Sequence, residues 1–553
     1  MKHQYFTKIL LALSLCLLGK MSYGQTFEQI KPPPPAPQFV SNFPALNQGS
    51  IAFADVDKDG DQYALVMGFS RDDYETPVAI LYRNDGAGNY TEVLDTPFEG
   101  VTRGAIAFAD VDGDGYQDVL ITGQGPYVPG SGESKVAALY RNKGNGTFTK
   151  DTNPPFEGLS ESSIAFADVD GDEDLDVLIY GRDNDRNTST KLYRNDGNGN
   201  FEEMPTNLEV LGYSQFVSFA DADNDGDLDV LISGEDNDGN IIPKLYRNDG
   251  KGNFEEMSTN FESMGYGVSA AFADVTGNKA ADVLITGIDE NYDPIAKLYL
   301  NNGGAFKEDT NTSYEGVYRG AIAFADVTGN KVPDVLITGY SENNKKITKL
   351  YLNKDNDTGS FGTFEEDTTA PFEGVDQGSI AFADVDGDGS PDVLITGEDG
   401  SYQRSAKLYT NNGSGTFTAN TTAPFKGVLN SSIAFADVDG NGTPDVLITG
   451  SISQTEYSAL LFRNTTQVST SPEVLSFSPQ PEATDVSLQP ELSVVFDKPV
   501  AFNASGTLSL VGADGIVQSY DLSDEEDRKK FSISEDQLTV SLKIDENLPV
   551  NTA

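Results

Sequence analysis

The sequence predicts an all-β protein in which an eight-bladed β-propeller precedes a smaller β-sandwich. A segment close to I-A-F-A-D-V-D recurs eight times along the 553 residues, at intervals of 52 to 58 residues. Each copy is followed by a second apolar segment close to D-V-L-I-T-G, and a short acidic loop separates the two. A repeat of this length is a supersecondary module, and stacking of such modules buries a continuous core.

The second unit shows the four strands that each module contains. Strand a is predicted at Ala105–Asp110, strand b at Asp118–Gly123, strand c at Ala137–Asn142 and strand d at Gly146–Lys150. Strand a alternates between large and small residues, and the small ones suit a crowded position where neighbouring sheets converge. Strand b is apolar throughout, as expected for a strand that is covered on both faces. Four-stranded modules of this regularity predict the blades of a propeller.

The two ends of the repeat region predict a closed ring. The last unit stops after strand c, at Leu460–Asn464, and a segment that resembles the missing strand d, Gln25–Gln29, precedes the first unit. An N-terminal strand that completes the last blade closes the ring with eight blades. A seven-bladed ring with one unit outside it is the alternative, because the number of repeats alone does not fix closure.

The loops between strands a and b carry the chemistry of the repeat. In the second unit the loop reads D-V-D-G-D-G-Y-Q-D, with carboxylates at positions 1, 3, 5 and 9 and Gly115 at position 6. A sharp turn at the glycine brings these carboxylates towards one point, and hard oxygen ligands at this density suit Ca²⁺. The pattern resembles the start of an EF-hand loop, but Ile121 stands at position 12 and strands flank the loop. The sequence therefore predicts a calcium site in a hairpin.

Five of the eight loops carry an acid or an asparagine at all four positions, and we expect a calcium ion in each. The third loop has Glu173 instead of the position-6 glycine, which calls its turn geometry into question. The predicted ligands are Asp110, Asp112, Asp114, Asp118, Asp168, Asp170, Asp172, Asp176, Asp221, Asp223, Asp225, Asp229, Asp384, Asp386, Asp388, Asp392, Asp437, Asp439, Asn441 and Asp445.

Three loops depart from this pattern, and we expect weak or no calcium binding there. The first loop has Asp55, Asp57 and Asp59 but Tyr63 at position 9. The fifth and sixth loops have threonine at position 3, asparagine at position 5 and lysine in place of the glycine. Their residues at positions 1, 3, 5, 6 and 9 are Asp274, Thr276, Asn278, Lys279 and Asp282, and Asp326, Thr328, Asn330, Lys331 and Asp334.

The acidic loops also allow an explanation without a metal. Aspartate and asparagine shape turns by accepting hydrogen bonds from nearby backbone amides. Five repetitions of the full pattern in matched positions favour the metal, and so does the repulsion among four carboxylates in one short loop.

Charge and composition exclude several classes of function. The formal charge is −50, so the chain is not expected to bind nucleic acid or anionic membranes through its net field. The one cysteine and the one histidine, Cys16 and His3, both fall in the first 24 residues. If that segment is removed, the chain has no disulfide, thiol nucleophile or imidazole. This excludes Ser-His-Asp and Cys-His triads and zinc sites made of histidine or cysteine.

The first 24 residues are predicted to be a secretory signal peptide that is cleaved after Gly24. Lys2 and Lys8 give a positive start, Ile9–Leu18 is a short apolar run, and Ser22 and Gly24 are the small residues expected before the cut. The run is too short to span a bilayer permanently, and no other transmembrane segment is predicted. We therefore expect a secreted or cell-surface protein.

The repeats resemble the FG-GAP/VCBS family, the unit of the integrin α-subunit propeller, of many bacterial surface proteins and of some lectins. The resemblance covers residues 25–465 and rests on the I-A-F-A-D strand and the D-x-D-x-D-G-x-x-D loop. In that family the a–b loop holds calcium, which implies the same role for the five full loops. The resemblance also implies that partners bind on the opposite face, at the b–c and d–a loops.

The predicted b–c loops are the most variable part of the repeat, and they are rich in tyrosine. Exposed tyrosines can stack on sugars or anchor proteins, although they can also simply cover the edges of the blades. Mixed charges such as Arg182 and Asp183 accompany them. The tyrosines are Tyr74, Tyr127, Tyr292, Tyr340, Tyr402 and Tyr457.

A Ser/Thr-rich linker at residues 466–471 leads to a second domain at residues 472–553. Pro481–Val500 resembles the Ig-like module of bacterial surface-layer and adhesion proteins. The domain is expected to be an incomplete Ig-like β-sandwich, because the chain stops inside the motif L-P-V-N-T-A. The strands expected in it are the alternating segment Leu492, Val494 and Phe496, and the segments Thr507–Val511 and Gln537–Ile544.

The predicted function is that of a calcium-binding, noncatalytic binding or adhesion protein that recognises an extracellular protein or carbohydrate. Uniform repeats support this function, because an active site would break the symmetry of one or two units and no unit stands out. The alternative is a polysaccharide-acting enzyme, a lyase or glycosidase, which would need a paired acid and base at a central cleft. A lectin is the narrower form of the first hypothesis.

Overall fold

The structure is a computed structural model, and it divides into two compact units, residues 33–468 and a second unit that includes residues 469–553. The predicted signal peptide, the segment Gln25–Gln29, the linker at 466–471 and the side chain of Tyr74 lie outside the described residues. The residues described are 38–40, 43–44, 46–70, 73–128, 132–152, 154–208, 212–235, 241–264, 267–356, 360–421, 423–453, 456–465, 474–478, 491–496, 507–512, 515–521, 524, 529–533 and 539–543.

Eight antiparallel sheets make up the first unit, and each sheet corresponds to one repeat, numbered here as blades 1 to 8. The a strands are β2 (Leu46–Ala54), β6 (Thr102–Ala109), β10 (Ser160–Ala167), β14 (Gly212–Ala220), β18 (Ser269–Ala273), β22 (Ile322–Ala325), the split strand β26 and β27 (Val375–Asp376 and Ile380–Ala383) and β31 (Leu429–Ala436). The b strands are β3 (Tyr63–Ser70), β7 (Asp118–Val128), β11 (Asp176–Arg182), β15 (Asp229–Glu235), β19 (Asp282–Ile288), β23 (Asp334–Ser341), β28 (Asp392–Asp399) and β32 (Asp445–Ser451).

The outer half of each blade consists of strands c and d, and one 3₁₀ turn, Glu342–Asn344, precedes strand c of blade 6. The c strands are β4 (Asp73–Asn84), β8 (Gly132–Asn142), β12 (Thr188–Asn195), β16 (Ile241–Asn248), β20 (Pro294–Asn301), β24 (Lys345–Asn356), β29 (Arg404–Asn411) and β33 (Tyr457–Arg463). The d strands are β5 (Tyr90–Glu92), β9 (Phe148–Lys150), β13 (Phe201–Met204), β17 (Phe254–Glu256), β21 (Phe306–Glu308), β25 (Ser360–Glu366), β30 (Phe417–Ala419) and, for blade 8, β1 (Gln38–Val40).

The hydrophobic core lies between the blades. Each of eight clusters of buried side chains combines residues from two neighbouring blades. Between blades 1 and 2, for example, Leu65 and Met67 pack with Val119, Ile121 and Tyr140. A sheet that is covered on both faces explains why the b strands are apolar throughout, as the sequence predicted.

The ring is closed, and it has eight blades. Strand β1 pairs with β33 of blade 8, with Phe39 opposite Phe462. One of the eight clusters joins blade 8 to blade 1 and includes Val438 of blade 8 and Tyr82 of blade 1. The prediction of an N-terminal strand in the last blade is confirmed, although the strand is Gln38–Val40, whereas the expected segment was Gln25–Gln29. The seven-bladed alternative is wrong.

A buried asparagine at the end of each strand c joins neighbouring blades. Nδ2 of Asn142 donates a hydrogen bond of 2.7 Å to the carbonyl oxygen of Val56, at position 2 of the acidic loop in the preceding blade. These bonds form a closed series around the ring, and they fix each acidic loop relative to the next blade. The residues that make the equivalent bond are Asn84, Asn195, Asn248, Asn301, Asn353, Asn411 and Asn464.

The second unit contains a four-stranded antiparallel sheet and a separate two-stranded hairpin. Strands are present at all three places where the sequence predicted them, and the assignment to the Ig-like family stays a prediction. Within the described residues, no helix is long and apolar enough to cross a membrane. The sheet has the order β34 (Val474–Ser478), β35 (Glu491–Phe496), β39 (Thr539–Lys543), β38 (Phe531–Ile533), and the hairpin is β36 (Thr507–Gly512) with β37 (Gly515–Asp521).

Candidate metal centre

The a–b loops of all eight blades share one hydrogen-bonded turn. Position 6 has a positive φ in each loop, between 71° and 96°. Its backbone N–H donates to Oδ2 of the aspartate at position 1, at 2.7 to 3.2 Å. Glu173, Lys279 and Lys331 adopt this conformation as the glycines do, although a side chain in the left-handed region costs about 1 kcal/mol. The third loop therefore keeps the shared turn geometry with Glu173 at position 6.

Position 9 is a buried aspartate in seven of the loops, and it joins the loop to strand c. In blade 3, Oδ1 of Asp176 accepts from the backbone N–H of Asn195 at 2.8 Å, and Oδ2 accepts from that of Val169 at 3.0 Å. The same two bonds are made by Asp118, Asp229, Asp282, Asp334, Asp392 and Asp445.

Burial raises the pKa of these closing aspartates, to about 7 for Asp392 and to about 6 for the other six, even though the backbone N–H groups act in the opposite direction. Asp282 and Asp334 belong to the loops with few acids and still make both backbone bonds. The closing aspartate therefore has a structural role that does not depend on a metal.

Several other carboxylate oxygens in the loops are buried and accept no hydrogen bond. A buried carboxylate oxygen without a donor is unfavourable, and a bound cation would remove that cost. The residues present therefore fit a cation that is held by oxygen. These atoms are Oδ1 of Asp110, Asp170, Asp223 and Asp439 in loops with the full pattern, and Oδ1 of Asp55 and Asp57 in the first loop.

The folded loops bring the predicted ligands together in groups. In each group, three carboxylates place one oxygen apiece within 4.8 Å of the others. Several of these acidic clusters could therefore bind a metal ion. Among them are Asp55, Asp57 and Asp59; Asp110, Asp112 and Asp114; Asp168, Asp170 and Asp176; Asp221, Asp223 and Asp225; and Asp384, Asp386 and Asp392.

Comparison with known families identifies the repeat. The family pattern described as the FG-GAP-like repeat matches residues 55–121, 127–179, 178–232, 221–285 and 384–448, which together exceed half of the chain. The chain belongs to the FG-GAP-like repeat family. No curated protein sequence matches it.

Solved structures with a similar arrangement of strands are distant from this FG-GAP-like chain. A fucose-specific lectin from Aleuria aurantia has 9% identity and a TM-score of 0.31, over 68% of this chain and 96% of the lectin. The exotype rhamnogalacturonan lyase YesX has 13% identity and a TM-score of 0.34, over 92% of this chain and 91% of the lyase. A mutant of AofleA from Arthrobotrys oligospora has 11% identity and a TM-score of 0.30, over 60% of this chain and 91% of AofleA. Likenesses this weak carry no argument about the function of this chain.

An asparagine at position 5 changes what an FG-GAP-like loop can offer to a metal. In the fifth loop, Oδ1 of Asn278 accepts from the backbone N–H of Ala280 and Nδ2 donates to the carbonyl oxygen of Asn301, both at 2.8 Å. Asn330 and Asn441 make the same two bonds. An aspartate at this position has a second oxygen, whereas asparagine has an N–H group that repels a cation. We therefore expect the eighth loop, which contains Asn441, to bind more weakly than the other four full loops.

Arginine before the last residue of strand c competes for the loop carboxylates in several FG-GAP-like repeats. Arg141 lies 3.6 Å from Asp112 and 3.4 Å from Asp118, and the equivalent arginines of blades 3 and 4 lie 4.0 Å from their position-3 aspartates. In blade 7 this residue is Thr410. A guanidinium beside a carboxylate neutralises charge that a divalent ion would otherwise neutralise. The loop of blade 7 is therefore expected to bind a cation most tightly.

Removal of one loop carboxylate from blade 7 is expected to abolish one tight calcium site. Asp386→Ala should lower the number of tight sites by one in calorimetric titration of chelator-treated protein, because the carboxylate belongs to the oxygen cluster of that loop. Thr328→Ala, at the same loop position in blade 6, is the matched control and should leave the number of sites unchanged. An unchanged number of sites in Asp386→Ala would contradict the ranking of the loops.

The tyrosines named in the sequence lie at the edge of the blades opposite the acidic loops, because strands a and b run antiparallel and the b–c turns follow the far end of strand b. Tyr127, Tyr292 and Tyr402 have exposed fractions of 64%, 75% and 70%. Tyr340 is partly buried and stacks on a neighbouring tyrosine. Tyr457 lines a cavity of about 260 Å³ between blades 8 and 1. Three of these tyrosines are therefore available to a partner.

The expected uniformity of the FG-GAP-like repeats breaks down on this same edge, between blades 6 and 7. Lys346 of blade 6 forms ion pairs with Asp376 and Glu398 of blade 7. Asp376 is the eighth residue before the first loop aspartate, where blades 2 and 3 have Thr102 and Ser160. An alignment of the eight units at that position would have revealed the exception, which the sequence interpretation missed.

Proposed function

We propose that this protein is a secreted or cell-surface calcium-binding protein that recognises an extracellular protein or glycan without catalysing a reaction. The observation that carries the proposal is the repeated set of buried carboxylate oxygens, without hydrogen-bond donors, in a–b loops of one shared geometry. The ligands that we assign to calcium are those predicted from the sequence in loops 2, 3, 4, 7 and 8.

Calcium suits these loops better than other common metals. Its ligands are hard oxygens in variable number and geometry, and the loops supply carboxylates and backbone carbonyls. Zinc and copper prefer the nitrogen and sulfur ligands of histidine and cysteine, and the chain has one of each, both in the proposed signal peptide. When bound, the ions would neutralise the acidic loops and stiffen one edge of the ring.

Recognition is assigned to the opposite edge. The exposed tyrosines of the b–c turns stand there, away from the acidic loops, at the ends of the paired strands b and c. Tyrosine gives a large contact area and a hydrogen-bonding group at a small entropy cost, which is why it is frequent in binding surfaces. The proposed signal peptide at residues 1–24, the linker at 466–471 and the proposed Ig-like domain at 472–553 fit a protein that acts outside the cell.

The proposal is tested by binding of the labelled full chain to arrays of glycans and of extracellular proteins, with calcium and with EDTA. We expect binding that decreases in EDTA, because the loops stabilise the scaffold that presents the opposite edge. A parallel assay measures the reducing ends and unsaturated products released from polysaccharides. Depolymerisation would refute the noncatalytic proposal in favour of a lyase or glycosidase, and absence of binding to both arrays would refute recognition.

A further inference from the structure

We infer that blades 6 and 7 form a binding subsite for a neutral sugar residue on the edge opposite the acidic loops. The subsite is centred on Lys346, Asp376, Glu398, Tyr340 and Tyr402, called here the Lys346 cluster. The inference rests on the proposed function and deepens it, because it names the class of ligand and the place where it binds.

The Lys346 cluster is a local exception to the symmetry of the ring. Asp376, the residue of strand a that faces Glu398 of strand b, is buried, and this pair of acids stands at the end of the a–b ladder. A buried carboxylate at this register is a feature of one blade rather than of the repeat. The pairs at the same register in blades 2, 3 and 8 are Thr102 with Gln124, Ser160 with Arg182, and Leu429 with Ser451.

The charges of the cluster are paired across two blades. Nζ of Lys346 lies 2.9 Å from Oδ1 of Asp376 and 2.6 Å from Oε1 of Glu398, and the lysine side chain is 2% exposed. Arg319 of blade 6 approaches Oδ2 of Asp376 to 3.6 Å. Buried ion pairs are rarely more stable than apolar residues of the same volume, so stability alone does not explain why four charges meet here.

Aromatic rings surround these charges. Nζ of Lys346 lies 4.8 Å from the centre of the Tyr402 ring and 5.2 Å from that of Tyr340. The guanidinium of Arg319 lies 5.7 Å from the Tyr340 ring. Tyr402 is 70% exposed, yet its position is fixed by a turn in which its N–H donates to the carbonyl oxygen of Asp399 at 3.0 Å. A ring of this kind presents a preformed stacking surface beside hydrogen-bonding groups.

This combination matches the chemistry of a neutral sugar. Each sugar hydroxyl both donates and accepts, so it can donate to Glu398 and accept from Arg319, whose side chains are 21% and 40% exposed. The buried Lys346 and Asp376 lie behind these two side chains and hold them in place through the ion pairs. The apolar C–H face of the sugar can cover the Tyr402 ring, as in aromatic contacts generally. The two acids and two bases named here balance in charge, so they offer no net attraction to a uronic acid or a sulfated sugar.

The state of Lys346 favours binding over proton abstraction. Burial alone would lower the pKa of Lys346, but the carboxylates of Glu398 and Asp376 outweigh it and hold the pKa above its ordinary value. The side chain is therefore an ammonium group that donates hydrogen bonds. A catalytic base for elimination would need a pKa near the working pH instead.

Blade 5 provides a matched control for the key aromatic residue. Tyr292 is 75% exposed, and it occupies the same turn as Tyr402, with its N–H donating to the carbonyl oxygen of Asp289 at 3.0 Å. The residues that flank this turn in the paired strands are Ile288 and Pro294, whereas those of blade 7 are Glu398 and Arg404. Tyr292 therefore has the exposure and the turn of Tyr402 without the charged pair.

The test uses the labelled full chain in calcium on an array of neutral and uronic-acid glycans, followed by titration with the best neutral oligosaccharide. Tyr402→Ala and Glu398→Gln are each expected to weaken binding about tenfold or more, which is typical for loss of a central contact. Tyr292→Ala should bind as the wild type does. Melting curves of all variants establish that they are folded, and Glu398→Gln leaves Lys346 its second partner, Asp376.

The outcomes separate the subsite from the proposed function. A loss of affinity for the neutral oligosaccharide in Tyr402→Ala and Glu398→Gln, but not in Tyr292→Ala, supports the subsite. Wild-type affinity of Tyr402→Ala for a glycan that the protein binds would overturn the subsite and leave the recognition function intact. Binding to uronic-acid glycans alone, or to proteins and no glycan, would also overturn the subsite. If the protein binds no glycan and no protein, both the subsite and the proposed recognition function are overturned.

Discussion

Asp282→Ala is expected to lower the free energy of unfolding by about 3 kcal/mol in calcium-free buffer, because it leaves two buried backbone N–H groups without acceptors. The carboxylate of Asp282 accepts from the N–H of Asn301 at 2.6 Å and from that of Val275 at 2.8 Å. The change can be measured by urea denaturation in EDTA. The loop of blade 5 has few acids, so the loss of a calcium ion contributes little to this result.

Two further variants define the origin of this effect. Thr276→Ala, in the same loop, should change the unfolding free energy by less than about 1 kcal/mol, because its hydroxyl makes one bond of 3.4 Å. Asp392→Ala, the equivalent substitution in blade 7, should lower the free energy of unfolding by about 3 kcal/mol in EDTA. The decrease should be larger in calcium, because the blade 7 loop is also expected to bind the ion. Wild-type stability of Asp282→Ala in EDTA would contradict the structural role assigned to the closing aspartate and its two backbone hydrogen bonds.

Calcium is expected to raise the melting temperature of the chelator-treated protein by on the order of 10 °C. An ion that binds only the folded state stabilises it by about 2.7 kcal/mol per site at a hundredfold excess over Kd. The loops of blades 2, 3, 4 and 7 are the strongest candidates, and four such sites give on the order of 10 kcal/mol. The unfolding entropy of a domain of this size converts that energy into the stated shift.

The measurement is a thermal scan by circular dichroism, with magnesium at the same ionic strength as the control. Magnesium should give a much smaller rise, because it requires a strict octahedral geometry and retains its water molecules. A subsequent excess of EDTA should reverse the effect of calcium. A melting temperature that does not respond to calcium would refute the assignment of the loops as calcium sites.

The acidic loops could be located from the sequence because their pattern is local. Nine consecutive residues contain the position-1 aspartate and the residue with positive φ, so both can be identified without knowledge of neighbouring blades. The consequences of single substitutions were harder to predict. Glu173 keeps the turn because its backbone N–H donates to Oδ2 of Asp168 at 3.0 Å, and this hydrogen bond holds the residue in the left-handed region. Asn441 fits the ligand pattern of the loop, but its Nδ2 donates to the carbonyl oxygen of Asn464, which reduces its suitability as a ligand.

The strand that closes the ring illustrates a different limit. The pattern showed that the last blade lacks strand d, and the structure supplies it from Gln38–Val40, opposite Arg463 to Leu461. Phe39, opposite Phe462, precedes the first loop aspartate by 16 residues, whereas Glu92, at the same register opposite Tyr82 of blade 1, precedes the next loop aspartate by 18. A shortened connection of this kind obscures the repeat in the sequence, while the packing of the last blade selects the strand.

The sequence by itself determined the all-β class, the eight modules and the eight acidic loops, because each depends on residues that are close in the chain and recur at a fixed period. Only the tertiary structure decided which residues meet between blades. The bond from Asn142 to Val56 spans 86 residues, and the ion pair of Lys346 with Asp376 joins two repeats. Such contacts arise from the way in which neighbouring blades pack around the closed ring, and no local pattern encodes them.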